Sequence, residues 1–191
     1  MKKVFLSIIA LAMIMTTDGL FAQSSSDDDS HQLTIKIPEV ALIGIVPESN
    51  SITLEATAPT EPGDPIELDD DNEDLWLNYS SIVPGNAGNR RTITAELDAA
   101  VPGIDIKVNA QGFSAAVSND NRGITGNTTG EITLGTTGLD VVSGIGSSFT
   151  SKGASNGHQL KYSFSLKDGD YGAIFAEDHE ITVKYTITET N

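Results

Sequence analysis

Residues 159–166 read QLKYSFSL and residues 181–188 read ITVKYTIT. In the first stretch Leu160, Tyr162, Phe164 and Leu166 alternate with Lys161, Ser163 and Ser165. In the second, Ile181, Val183, Tyr185 and Ile187 alternate with Thr182, Lys184, Thr186 and Thr188. A period of two is that of a strand with one dry and one wet face, and these residue types suit a pleated surface. The same pattern recurs upstream. Leu33, Ile35 and Ile37 alternate with polar neighbours, as do Ile52 and Leu54, then Ile93, Ala95 and Leu97, then Ile104, Ile106, Val108 and Ala110. Val40–Val46, Leu75–Ser80, Phe113–Ser118, Glu131–Leu134, Leu139–Ser143 and Tyr171–Ala176 are shorter strand candidates. Gly- and Pro-rich turns separate them, such as Val101-Pro102-Gly103. The fold class expected is all-β, a single antiparallel sandwich of the Ig-like or pilin-like kind with about nine to eleven short strands. A membrane barrel needs apolar bands of about ten residues per strand, which these Thr- and Lys-bearing strands do not supply.

The chain opens with a different pattern. Lys2 and Lys3 precede an almost unbroken apolar run from Val4 to Met15, and Leu20-Phe21-Ala22 ends in a small residue. That is the form of a cleaved export signal, over residues 1–22, and it is too short to span a bilayer comfortably. Residues 23–30, QSSSDDDS, can bury nothing and are expected to be a disordered acidic tail. Residues 31–191 are then the β domain. The expected location is outside the cytoplasm: extracellular, at the cell surface or in the periplasm.

Acidic residues number 27 and basic ones 11, for a net charge of −16. Loss of Lys2, Lys3 and Asp18 with the signal makes the remainder more negative by one. A surface of that sign repels phosphate backbones and anionic lipids, so nucleic acid is excluded as a partner class. The chain has no cysteine, which excludes thiol catalysis, thiolate metal sites and lipid attachment through cysteine.

Two stretches carry candidate chemistry. Pro59–Asp74 holds three prolines and eight acids and reads as a long, structureless connection. Within it Asp69, Asp70, Asp71, Glu73 and Asp74 offer hard oxygen ligands of the kind Ca²⁺ takes. The run lacks the central glycine and spaced terminal glutamate of an EF-hand loop. The expectation is a solvated surface loop with at most weak Ca²⁺ affinity and no other cofactor. Trp76 is the single tryptophan. A buried indole is the commoner arrangement in an all-β core. If Leu77 and Tyr79 face inward, however, Trp76 and Asn78 face out, where the indole could stack on a sugar ring. His31, His158 and His179 are far apart and fall at strand edges or loops, so each is expected at the surface. Ser147 and Ser148 sit in GIGSSF, which matches neither a nucleophile elbow nor a dinucleotide fingerprint. No catalytic constellation stands out, and the chain is read as a non-enzyme.

The export signal followed by a polar tail, WLNYSSIV at Trp76–Val83, NGHQLKYSFS at Asn156–Ser165 and the closing ITVKYTIT together resemble small exported bacterial β-sandwich proteins, especially pilin-type and other cell-surface subunits. The cysteine pair of many such pilins is missing. The resemblance implies a structural or adhesion-type role, with other surface or fimbrial subunits as partners through strand addition. It transfers no site residue. The alternative expectation is a carbohydrate-binding module using Trp76, although aromatics make up only 6% of the chain.

Overall fold

The structure, a computed structural model, describes residues 29–48, 51–117 and 121–190. The export signal and most of the acidic tail lie outside these residues. The chain divides into two units, Met1–Lys36 and Ile37–Asn191. In the first, the described residues 29–36 form no strand and are exposed, including Leu33 and Ile35. Alternation therefore does not make 31–37 a paired strand, because alternation specifies faces and not a partner.

Among its described residues the second unit carries ten strands: β1 (Val40–Val46), β2 (Asp71–Ile82), β3 (Arg90–Leu97), β4 (Ile104–Ala110), β5 (Asn127–Thr128), β6 (Glu131–Thr133), β7 (Leu139–Ile145), β8 (Ser148–Phe149), β9 (His158–Leu166) and β10 (Val183–Thr190). All pairings are antiparallel. One sheet runs β1-β2-β9-β4-β6, with β8 also on β2, and the other runs β10-β3-β7-β5. The fold is thus the all-β sandwich that the alternation required. The two most regular stretches, β9 and β10, lie in opposite sheets.

Leu75, Leu77 and Tyr79 of β2, Ile93, Ala95 and Leu97 of β3, Val108 and Ala110 of β4, Val141, Val142 and Ile145 of β7, and Leu160 and Tyr162 of β9 form the core. Tyr162 and Tyr185 share a hydrogen bond of 2.6 Å between hydroxyls, linking β9 of one sheet to β10 of the other. Burial pushes the Tyr162 phenol up to about 12, against the lowering effect of that bond.

Several short elements differ from expectation. Ile52 and Leu54 pack on the core without joining a sheet. Ladder pairing in residues 51–58 is limited to the bridge Thr57↔Glu67. The described residues of the Phe113–Ser118 candidate contribute one bridge, Ser114↔Gly157. Tyr171–Ala173 is a 3₁₀ turn, not a strand.

Candidate functional site

The acidic run is mostly strand. Asp71, Asn72, Glu73 and Asp74 begin β2, so the expected loop over 69–74 is corrected to two loop residues and four strand residues, of which Asp71 and Asn72 are paired with β9. Pairing with β9 explains how this works. Asn72 opposes Tyr162 and Leu75 opposes Leu160, which leaves one extra residue on β2. Such a bulge exchanges the faces of the strand. Asp71 and Glu73 stay exposed, while Leu75 and Leu77 turn inward. Lys161 then sits 2.6 Å from Asp71 and 3.0 Å from Glu73. The hydrogen bonds that the lysine donates to Asp71 and then to Glu73 hold it above its ordinary pKa. Asp70 accepts the Glu55 backbone N–H at 2.9 Å, and Asp74 accepts from Asn72 Nδ2 at 3.0 Å. Among the described residues no group of three or more acidic or histidine side chains is arranged to hold a metal. The five candidate ligands are engaged by the chain or spread along it, with Asp69 alone lacking a described partner.

Trp76 is half-buried and lies on the outer face of its sheet, between Val46 on β1 and Gln159 on β9. The commoner arrangement, an indole in the core, is not the one found. The cause is parity: Leu75, Leu77 and Tyr79 take the inward positions. The polar groups near the indole are already paired. Asn78 Nδ2 donates to Asn156 O at 2.6 Å, and Asn78 Oδ1 accepts from Gly153 N at 2.8 Å. Gln159 Nε2 donates to Glu73 O at 2.8 Å. Beside it, an open groove of about 450 Å³ runs over Gly44, with Leu42, Val46, Ser80, Phe149 and Lys152 along its sides. A side chain at Gly44 would meet nothing within 4 Å.

Comparison of the chain with protein-family models, with curated proteins and with solved structures finds no match. The pilin-type resemblance therefore rests on sequence pattern alone.

His158 is 1% exposed, which corrects its expected surface position. It is the first residue of β9 and shares the inward face with Leu160 and Tyr162. Gly157 makes this approach possible: its φ is +84°, and a Cβ there would lie 2.1 Å from Leu77 O. The His158 ring stacks on Tyr79 at 5.9 Å and meets Phe113 edge-on at 5.8 Å. Nδ1 lies 2.9 Å from the Gln111 carbonyl, so it carries the proton and donates. Nε2 is 3.3 Å from the Tyr79 hydroxyl, whose proton also has the Thr125 carbonyl as acceptor. Burial lowers the imidazole below its ordinary pKa, against the raising effect of the Gln111 carbonyl. The same desolvation raises the Tyr79 phenol. This pair has the chemistry of an acid and a base but is closed to substrate. Ser147 accepts the Val83 N–H and Ser148 points to Gly146 O, so neither hydroxyl bonds a histidine. His31 is exposed, and His179 faces Glu177 at 3.6 Å.

Two buried arginines belong to no sequence motif. Arg122 is buried, lies 5.3 Å from the Phe149 ring, and donates to Thr150 O, Ser151 Oγ and Val117 O. Arg91 is 1% exposed and ties the two sheets together. From β3 it donates to Val40 O, to Ser81 Oγ at 3.1 Å and to Ile82 O at 3.1 Å. It also pairs with Glu39 at 2.5 Å and Glu189 at 3.5 Å. Parity carried the signal, since Arg91 shares its face with Ile93, Ala95 and Leu97.

The seam that Arg91 bolts is lined by half-buried apolar side chains. β1 and β10 are edge strands of opposite sheets and lie next to each other. Ile43 and Ile45 on β1, and Val183, Tyr185 and Ile187 on β10, pack toward the core but are only half-buried.

Proposed function

We propose that this protein is an exported, non-enzymatic structural or adhesion-type subunit of the cell surface that associates with other subunits. The observation that carries the reading is the row Leu33, Ile35 and Ile37, exposed at 74%, 75% and 75%. Solitary exposed apolar residues are ordinary, but a contiguous patterned row is a mark of an interaction surface. The export-type N-terminus and the acidic, soluble surface support the same reading. Size-exclusion chromatography and electron microscopy of the native extracellular fraction test it. Filaments or higher assemblies are expected, and a uniformly monomeric protein would overturn it.

Trp76 on the outer sheet face favours a second reading, a carbohydrate-binding module. Its saturated polar neighbours weigh against that reading, because a sugar hydroxyl needs free donors and acceptors. Glycan binding lost on Trp76→Ala would favour it over the subunit reading.

A further inference from the structure

We infer that Phe175 of one copy docks into the groove over Gly44 of a second copy and joins the copies head to tail. The inference rests on the subunit reading and names its contact. The loop after β9 holds Phe175 in place. Asp170 N donates to Lys167 O at 3.1 Å, and the 3₁₀ turn Tyr171–Ala173 follows. Tyr171 Oη accepts the Ile66 N–H at 3.3 Å. Ile174 seats over Gly103, where a Cβ would lie 2.7 Å from its Cγ1. Phe175 comes next and is 66% exposed. An aromatic ring kept in water on an anchored loop gains free energy when a partner buries it, with little ordering left to do.

The groove suits that ring. Leu42, 65% exposed, stands on one side of it, and Phe149 stands on the other, beyond Ser80. Arg122 backs Phe149 at 5.3 Å and holds that wall. Gly44 leaves the space between them, and a glycine inside a strand is where another group approaches closely. The volume is about 450 Å³, whereas an apolar cavity of about 150 Å³ already takes benzene. Charge selects the donor. Lys107, Lys161, Lys167 and Lys184 each pair with an acid. Lys152, on the Phe149 side of the groove, is the one lysine of the β unit that has no acidic partner among the described residues. Glu177 and Asp178 follow Phe175 by two and three residues and are exposed. Glu48, the acid in the groove lining, lies on the β1 side, so the acids of the loop take the Lys152 side. The exposed row at 33–37 carries Lys36 and no acid, and offers Lys152 nothing.

Position makes the contact intermolecular. β9 starts beside the groove, with His158 opposite Leu77, and ends with Leu166 opposite Ile104, the neighbour of Gly103. Eight steps of about 3.3 Å set those ends about 26 Å apart. Phe175, anchored at Gly103, therefore does not reach its own groove. A contact between two different patches repeats from copy to copy and builds a ring or a filament.

The test uses the full exported chain in sedimentation experiments. Wild type is expected to self-associate as concentration rises. Phe175→Ser and Gly44→Val should each stay monomeric without melting lower than wild type, since the first lies at the surface and a Cβ at the second meets nothing within 4 Å. If Gly44→Val does melt lower, Leu42→Glu takes its place with the same expectation. An equimolar mixture of the two variants should form dimers and nothing larger, because one keeps the groove and the other keeps the phenylalanine. Lys152→Glu should weaken association several-fold, a loss that shrinks in about 1 M salt, where the Debye length is about 3 Å. Assemblies that persist in both variants, or monomeric variants that do not dimerise on mixing, would overturn this contact while leaving the subunit reading intact. Glycan binding that is lost in Gly44→Val, with association unchanged, would give the groove to a sugar and also overturn the contact. A mixed dimer, with no assembly in the native extracellular fraction, would support the contact and count against the subunit reading.

Discussion

At the scale of single residues, two buried polar side chains do the most. Arg91 gathers carbonyls and carboxylates from β1, β2 and β10 at the seam between the sheets. Arg91→Leu removes the donor from two carbonyls and a serine at once. The expected loss is about 3 kcal/mol, the scale of a broken buried network, read from the denaturant midpoint. Glu39→Gln should cost less than Arg91→Leu, because the glutamine carbonyl still accepts from the guanidinium and Glu189 still faces it. His158 makes stability depend on pH. Its folded pKa lies below the ordinary value, so the unfolded chain binds its proton more tightly. The contribution is complete above about pH 6.5 and is lost as pH falls through that value toward the depressed folded one. Denaturation midpoints of wild type should therefore fall more steeply just below that pH than those of His158→Gln. Equal slopes would remove His158 from the account.

At the scale of elements, the bulge at the start of β2 decides which way the rest of the strand, Leu75–Ile82, faces. It puts one residue too many between Asn72 and Leu75. Deleting Asp74 leaves Asn72 opposite Tyr162 and Asp71 opposite Ser163, and brings Glu73 opposite Lys161 in a regular ladder. The variant should fold, with a melting temperature changed by no more than about 2–4 °C, the shift that goes with ~1 kcal/mol in a chain of this size. Deleting Trp76 instead breaks a regular register. It sets the apolar row on the wrong face of one half of the strand and should abolish the fold. A Trp76 deletion that melts like the Asp74 deletion would overturn the register argument.

At the scale of the whole molecule, charge is the dominant surface property. The net charge of −16 makes the compact state repel itself, and salt screens that repulsion. Melting temperature should rise when ionic strength is raised from about 10 mM to about 150 mM, over which the Debye length falls from about 30 Å to about 8 Å. Ca²⁺ and Mg²⁺ at equal ionic strength should have the same effect. A stabilisation specific to Ca²⁺ and lost in Asp70→Ala would restore the acidic run as a calcium site.

The all-β class and the inward faces of β3, β4, β9 and β10 were legible in the sequence, because side-chain direction in a strand follows a fixed period of two. The same period places Arg91, His158 and Glu189 inward, although a polar residue on an apolar face is easily read as a strand end. Other features depend on pairing, which no local period encodes. The bulge that turns Asp71 and Glu73 outward exists only against β9. The outward Trp76 follows from which neighbours fill the core. The unpaired state of Leu33, Ile35 and Ile37 is a tertiary fact too: their alternation prepares a strand, but a strand forms only where another strand offers its hydrogen bonds.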